Sequence, residues 1–187
     1  FSRSARKSIR RVLRRDFDYE IIRSPASLDK FYNIYVDTMQ RNKAKSFYYF
    51  SKDYFDTLLN RFRNEVLNIN VFVDNICIAS GLYFVYEKYL HAHLSGTKSE
   101  YLEYSPAYLL KYLTCEWSKK NNIEYIHYGG GTTNNPEDSL LQFKSKFTNS
   151  GLFDFYIGKK IYNEKVYFEM VEKSCKSNIN YFPQYRS

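Results

Sequence analysis

The hydrophobic positions of this chain change their period several times, and each change marks an element. Ile9, Val12 and Leu13 recur at helical spacing within residues 3–15, and Phe17 can extend the row. Residues 17–23 then alternate, with Tyr19, Ile21 and Ile22, which predicts a strand that Pro25 stops. Ser27 is placed to cap a helix over about 28–40, with Leu28, Phe31, Ile34, Tyr35 and Thr38/Met39 on one face. Ser51 does the same for a helix over about 52–65, with Tyr54, Phe55, Leu58, Leu59 and Phe62 facing inward.

The middle of the chain switches to period two. Ile69–Val73 and Ile76–Tyr86 flank Asp74-Asn75, the signature of a hairpin. Tyr89–Ser95 is a third strand, with His91 and His93 on one face and Leu90, Ala92 and Leu94 on the other. Pro106 opens a helix over about 106–120 with Leu109, Leu110, Leu113 and Trp117 inward. A strand over 123–128 leads into Gly129-Gly130-Gly131. A helix over 136–147 follows, with Asn135 as its cap and Pro136 at its first position. Residues 153–156 and 165–170 alternate and predict a last antiparallel pair, and the tail after Cys175 shows no pattern. The order implies one α+β (α/β) domain on a central mixed sheet.

Composition narrows the class. The 187 residues include 15 Phe and 20 Tyr but only 7 Gly and 4 Pro, enough for a substantial core and against a fibrous or disordered chain. No apolar run reaches the roughly 20 residues of a membrane span, and no secretory signal is visible. Cys77, Cys115 and Cys175 fit neither a disulfide framework nor a zinc site, which points to reduced thiols in a cytoplasmic setting. The net charge of +8 sits almost wholly in residues 1–15, where Arg3, Arg6, Lys7, Arg10, Arg11, Arg14 and Arg15 meet no acid. That segment reads either as a solvated helix face packed on a neighbour or as a surface for RNA phosphates or an anionic membrane. Its nucleic-acid candidates are Arg10, Arg11 and Arg14.

The run from Gly129 to Phe147 carries the most chemistry. Glycines let backbone approach a ligand, and a helix start offers unpaired N–H groups. Strand, glycine loop and helix start together can cradle an oxyanion or a carbonyl under attack, or form no more than a tight turn. The run is neither GxxxxGK[ST] nor GxGxxG, so the nucleotide-loop readings do not apply.

The element order, with Arg41-Asn-Lys-Ala44, His91-Ala-His-Leu-Ser-Gly-Thr97, Tyr128-Gly-Gly-Gly131, Asp138, Leu141-Gln-Phe-Lys-Ser-Lys-Phe147 and Phe155-Tyr-Ile-Gly-Lys-Lys-Ile161, resembles the Fem-type branch of the GNAT acyltransferases. The resemblance covers nearly all of residues 18–170. It implies a GNAT fold with a mostly antiparallel mixed sheet flanked by helices. It also implies transfer of an acyl or aminoacyl group to an amine, without a metal. Fem-type proteins carry two such lobes, and this chain resembles the second. Lys7-Ser-Ile-Arg-Arg11 resembles the element leading out of the first. With a first residue other than Met, this implies a GNAT-like lobe upstream. Residues 1–16 are then a basic linking helix, 17–175 the GNAT-like domain and 176–187 an irregular tail. A conventional GNAT holds coenzyme A pyrophosphate in a Q/RxxGxG/A loop, whereas residues 98–107 contain no glycine. The donor therefore stays open between aminoacyl-tRNA and acetyl-CoA. The acceptor is an amine, in the most specific version that of a peptidoglycan precursor. A non-catalytic lobe that binds RNA or a partner through the arginine helix is the alternative outside enzymes.

N-acyl transfer needs an amine deprotonated, an oxyanion stabilised and a donor held. By the resemblance Lys144 is the first choice to neutralise the oxyanion or a donor phosphate. His93, or its neighbour His91, is the candidate proton acceptor. Gly129, Gly130, Gly131, Asp138 and Phe143 are substrate-binding candidates. Asp138 is equally suited to capping a helix, and Phe143 and Phe147 to the core. Arg41 and Tyr48 lie in the loop that shapes the acceptor side of GNAT folds.

Overall fold

A computed structural model describes residues 1–149, 151–174 and 180–186; Cys175 and the part of the tail over 176–179 and 187 lie outside the described residues. The chain forms two compact units, Phe1–Gly151 and Leu152–Ser187.

The first unit is built on a five-stranded sheet in the order β1-β2-β3-β4-β5. Its strands are β1 (Asp18–Arg23), β2 (Val66–Val73), β3 (Ile76–Tyr86), β4 (Tyr89–Thr97) and β5 (Tyr125–His127). The first four pair antiparallel and β5 joins β4 in parallel. Asp74 and Asn75 both take positive φ, 49° and 63°, the backbone that a tight two-residue hairpin requires.

Helices cover both faces. On one, α2 (Asp29–Arg41) and α3 (Lys52–Phe62) close over Phe31, Tyr35, Phe55, Leu58, Leu59, Val66 and Leu82. Phe31 and Tyr35 stack at 5.7 Å and Phe55 meets both edge-on, which fixes this corner by ring geometry as well as by area. Ser51 caps α3 as the sequence predicts. Ser27 does not cap α2: the cap position is Leu28, and the Ser27 hydroxyl accepts only from the Asp29 amide just inside the helix. On the other face, α4 (Pro106–Lys120) lays Leu109, Leu110 and Leu113 over Leu67, Ile69, Val71, Ile78, Val85 and Leu90. α1 (Arg3–Val12) buries Ala5, Ile9 and Val12 at positions that recur every three to four residues. It packs on α4 and on Phe147, leaving Arg10, Arg11 and Arg14 exposed.

Three further expectations are corrected. The helix after the glycine run is α5 (Ser139–Ser145), capped by Asp138 and not by Asn135; Pro136 and Glu137 lie in a turn before it. Asn135 does bond the Glu137 amide (2.9 Å), but Asp138 satisfies two orphan amides of the helix and therefore sets its start. Second, Leu90, Ala92 and Leu94 do not share a face. The β3–β4 ladder pairs Tyr83 with Ala92 and Leu82 with Leu94, so His93 is an extra, bulged residue. Leu90 and Ala92 join the α4 side, whereas Leu94 crosses to the α2–α3 side.

The third correction concerns the second unit, where no strand pair forms among the described residues. Residues 152–161 have no regular structure, and α6 (Glu164–Lys173) replaces the expected second strand. Val166 and Met170 fit a helix face as well as a strand face, and Asn163, which accepts from the Val166 amide, decides for the helix. Tyr167 stacks on Phe182 at 6.0 Å within this unit.

Candidate active site

β4 and β5 are bonded only over three residue pairs, Tyr89↔Tyr125, Leu90↔Ile126 and His91↔His127. Beyond that rung β4 continues to Thr97 while the chain after His127 leaves the sheet, and the two strands part. The chain has three histidines, and all three stand at this parting. The rings of His91 and His127 stack at 4.9 Å with their Nδ1 atoms 2.8 Å apart. His93, carried forward by the bulge, lies 6.2 Å from His91 and meets the Tyr54 hydroxyl of α3 through Nε2 at 3.0 Å. Phe84 lies against it at 5.1 Å. Burial lowers the basicity of His93, and that of His91 is lowered by burial, then by His127 and by Lys144.

Two lysines converge from the other side. Lys144 of α5 donates to the Gly130 carbonyl at 2.7 Å. Its own pKa is lowered by desolvation against a partial pull upward from Asp138. Lys111 of α4 is only 7% exposed and sets its ammonium 4.0 Å over the Tyr128 ring. Desolvation, with repulsion from Lys144 next, pushes it down to about 7. Tyr128 in turn meets Cys115 Sγ at 3.2 Å, and burial raises both groups above their ordinary values. The parting therefore gathers five basic side chains, and four of them, His91, His93, Lys111 and Lys144, are held toward their neutral forms. Sequence reasoning singled out Lys144 and the β4 histidines but missed His127, Lys111 and Tyr54. His127 had a readable signal, since it ends the strand that must lie beside β4. Tyr54 was expected inside and is instead 36% exposed at the cleft rim, and Phe62 is half exposed against Phe84.

Of the two forms open to the glycine run, a cradle or a turn, the structure has the turn. Gly129 has φ +71°, a left-handed backbone that turns the chain out of the sheet. Gly131 leaves room for Asp138, whose Oδ1 would lie 2.5 Å from an added Cβ. Asp138 Oδ1 accepts from the Leu140 and Leu141 amides, and Oδ2 from the amides and hydroxyls of Thr132 and Thr133. The Thr132 hydroxyl leads in holding this carboxyl far below the usual range. The start of α5 is thus occupied by the protein's own carboxylate, and the group that the run offers Lys144 is the Gly130 carbonyl.

The remaining candidates scatter. Phe143 packs on Tyr108 (5.3 Å) and Phe147 (5.2 Å), in the cluster under α1. Arg41 lies at the far end of β4, where it bonds the Thr97 carbonyl (2.6 Å), Thr97 Oγ1 (3.1 Å) and Ser99 Oγ (3.0 Å). Tyr48 sits in a short 3-10 turn between α2 and α3, and its carbonyl accepts from the Tyr35 hydroxyl. Residues 99–104, where a conventional GNAT keeps its glycine loop, form a 3-10 turn leading to Ser105 at the head of α4. Arg11 reaches Ser105 Oγ at 3.0 Å.

A mixed sheet whose parallel pair parts at midlength, with basic groups at the parting, is matched by sequence over residues 1–145 to the acetyltransferase (GNAT) domain. The chain belongs to the GNAT family. Among solved structures it is similar to FemX, with a TM-score of 0.69 at 12% identity over 79% of this chain and 54% of that one. It is also similar to the C-terminal domain of a putative lysylphosphatidylglycerol synthetase from Agrobacterium fabrum (TM-score 0.58, 16% identity, 77% of this chain and 50% of that one). A third is an aminoglycoside acetyltransferase from an uncultured soil metagenomic sample (TM-score 0.56, 15% identity, 77% and 97%). The chain thus spans about half the length of the first two. No curated protein matches the sequence significantly. No helix of the described residues is long and apolar enough to cross a membrane.

Proposed function

We propose that this GNAT chain moves an acyl or aminoacyl group onto an amine at the parting of β4 and β5. The observation that carries the reading is the convergence of Lys144 on the glycine run with the histidine row of β4. The donor's carbonyl lies in the opening between the strands, where Lys144 faces the charge that develops on its oxygen. The amine gives its proton to the histidine row that includes His93.

An aminoacyl-tRNA is the donor we favour over acetyl-CoA. The turn over Ser99–Tyr104 offers no glycine backbone to a pyrophosphate, whereas Arg11 brings a guanidinium to the head of α4. Arg10 and Arg14, exposed beside it, extend that surface for the phosphates of a tRNA. The acceptor is then the amine of a peptidoglycan precursor, shared with a GNAT-like lobe upstream of Phe1. The reaction takes place in the cytoplasm, where charged tRNA is present.

The test is a pair of titrations with uncharged tRNA and with coenzyme A, each at rising salt. The proposal expects tRNA binding that weakens steeply with salt and that loses slope when Arg10, Arg11 and Arg14 are replaced by Gln. Tight coenzyme A binding with no tRNA binding would turn the reading to an acetyl-CoA-dependent N-acetyltransferase. The exposed arginine face also supports a non-catalytic RNA-binding lobe, which the same titration followed by a transfer assay separates.

A further inference from the structure

We infer that His91 and His127 act as one proton acceptor, a two-imidazole base that takes the proton from the incoming ammonium. The inference rests on the acyl-transfer reading above and names the group that the reaction needs. Its ground is the 2.8 Å approach of the two Nδ1 atoms, which requires one of them to carry a proton and the other a lone pair. In the neutral pair the ring that donates through Nδ1 has an unprotonated Nε2, and that atom is the free base. Once it takes a proton, its ring is a cation donating to a neutral imidazole, a charge-assisted bond that is stronger than the neutral one. A second proton would leave two donors facing each other, so the pair takes one proton as a unit.

The surroundings suit the task. His91 is partly buried at the parting, whereas His127 is exposed on β5 and can pass the proton to water. The groups that face the pair are Lys144 from α5 and His93 from β4, backed by Tyr54 from α3. Phe84 of β3 is the cross-strand partner of His91, and Lys111 of α4 lies behind Lys144, whose charge lowers its basicity. Lys144 opposes positive charge on His91, so the proton is not held there at rest. His93 is the poorer acceptor, because its Nε2 already meets Tyr54.

The step balances as follows. R–NH3+ gives one proton to the free Nε2 and keeps the N–H bonding pair as a lone pair. That lone pair forms the C–N bond while the carbonyl π pair moves to oxygen. The oxyanion then collapses, and the bond from carbon to the donor's ester oxygen or thioester sulfur breaks, its electron pair leaving with that atom. The leaving atom takes the second proton from nitrogen, and the pair releases the first to water.

Two measurements on the full chain test this. In NMR titration of the ring nitrogens, the His91 and His127 signals should move together in the wild type. In His127→Gln the His91 transition should shift and sharpen to a single-site curve. Independent transitions, with His91 unmoved in the variant, overturn the pair. In transfer assays with aminoacyl-tRNA and with acetyl-CoA, His91→Gln and His127→Gln should lose about 10²-fold or more in kcat/KM with a basic alkylamine. They should lose only a few-fold with hydroxylamine, which is unprotonated near neutral pH and needs no base. Equal loss on both acceptors overturns the base role. The titration needs no turnover: a wild type inert with both donors sinks the acyl-transfer reading and the base role with it, and uncoupled rings sink the pair alone.

Discussion

His91 and Thr97, toward the two ends of β4, are six residues and about 20 Å apart along the strand, and their surroundings are built from opposite chemistry. At the Thr97 end every charge has a partner. Arg41 spans Thr97, Ser99 and Asp37, while Asp37 accepts from the amide and hydroxyl of Ser99. Thr38 bridges α2 to the strand at the same point, and Gly96 lets that helix approach so closely that an added Cβ would lie 2.6 Å from Thr38 Oγ1. At the His91 end basic groups gather and none of them, among the described residues, stands in an ion pair; Asp138 draws on Lys144 electrostatically, but its oxygens are taken by the loop it holds. Paired charge fixes the fold, and unpaired base, pushed toward neutrality, is what acid–base chemistry uses. The comparison predicts that substitutions at the two ends fail in different assays.

The largest effect belongs to the basic end. Lys144→Ala should lower kcat/KM by about 10²–10³-fold, the range found when one oxyanion donor is removed. The midpoint of urea unfolding should hardly move, because the residue's one bond is to the Gly130 carbonyl at the surface. Unchanged transfer in the variant would remove Lys144 from the chemistry.

Arg41→Ala should give the reverse pattern. It breaks several charge-assisted bonds at once and should cost about 2–3 kcal/mol in urea unfolding. Transfer per folded molecule should remain. A loss of kcat/KM with stability intact would restore Arg41 to the acceptor site that its loop suggested in the sequence.

The same contrast explains what the sequence could reveal. Helices and the meander of β2–β4 are written locally, in period and caps, and Ser51, Pro106 and Asp74-Asn75 mark their boundaries where the structure has them. Lys144 was visible through the motif around it. Lys111 was not, and His127 was readable only once β5 is set beside β4, because their meaning arises when α4 carries the chain over the sheet and returns it parallel to β4. The His93 bulge is invisible for a related reason. One extra residue leaves the alternation of Leu90, Ala92 and Leu94 intact on paper while moving Leu94 to the opposite face. Asp138 was legible in a capping role but falls inside the first turn of the helix read from the sequence, since Asn135-Pro136 offers an equally good start signature three residues earlier.

The smallest effect, per unit of pH, comes from Lys111, and it asks what the basic end costs the fold. An amine of this kind titrates near 10.4 in the unfolded chain, but here burial and Lys144 bring it down to about 7. Between those values the unfolded state holds the proton and the folded state does not. Stability therefore rises with pH, by at most about 1.4 kcal/mol per unit from this group. Below pH 7 both states are charged and the full penalty of a buried ammonium remains; above 10.4 both are neutral and the curve is flat. Lys111→Met keeps the length of the side chain and removes the titration. It should flatten the stability curve between pH 7 and 10 in urea unfolding and stabilise the chain most at neutral pH. An unaltered slope would mean that the Tyr128 ring, 4.0 Å beneath the ammonium, offsets its desolvation, and the basic end would then be as well paired as the other.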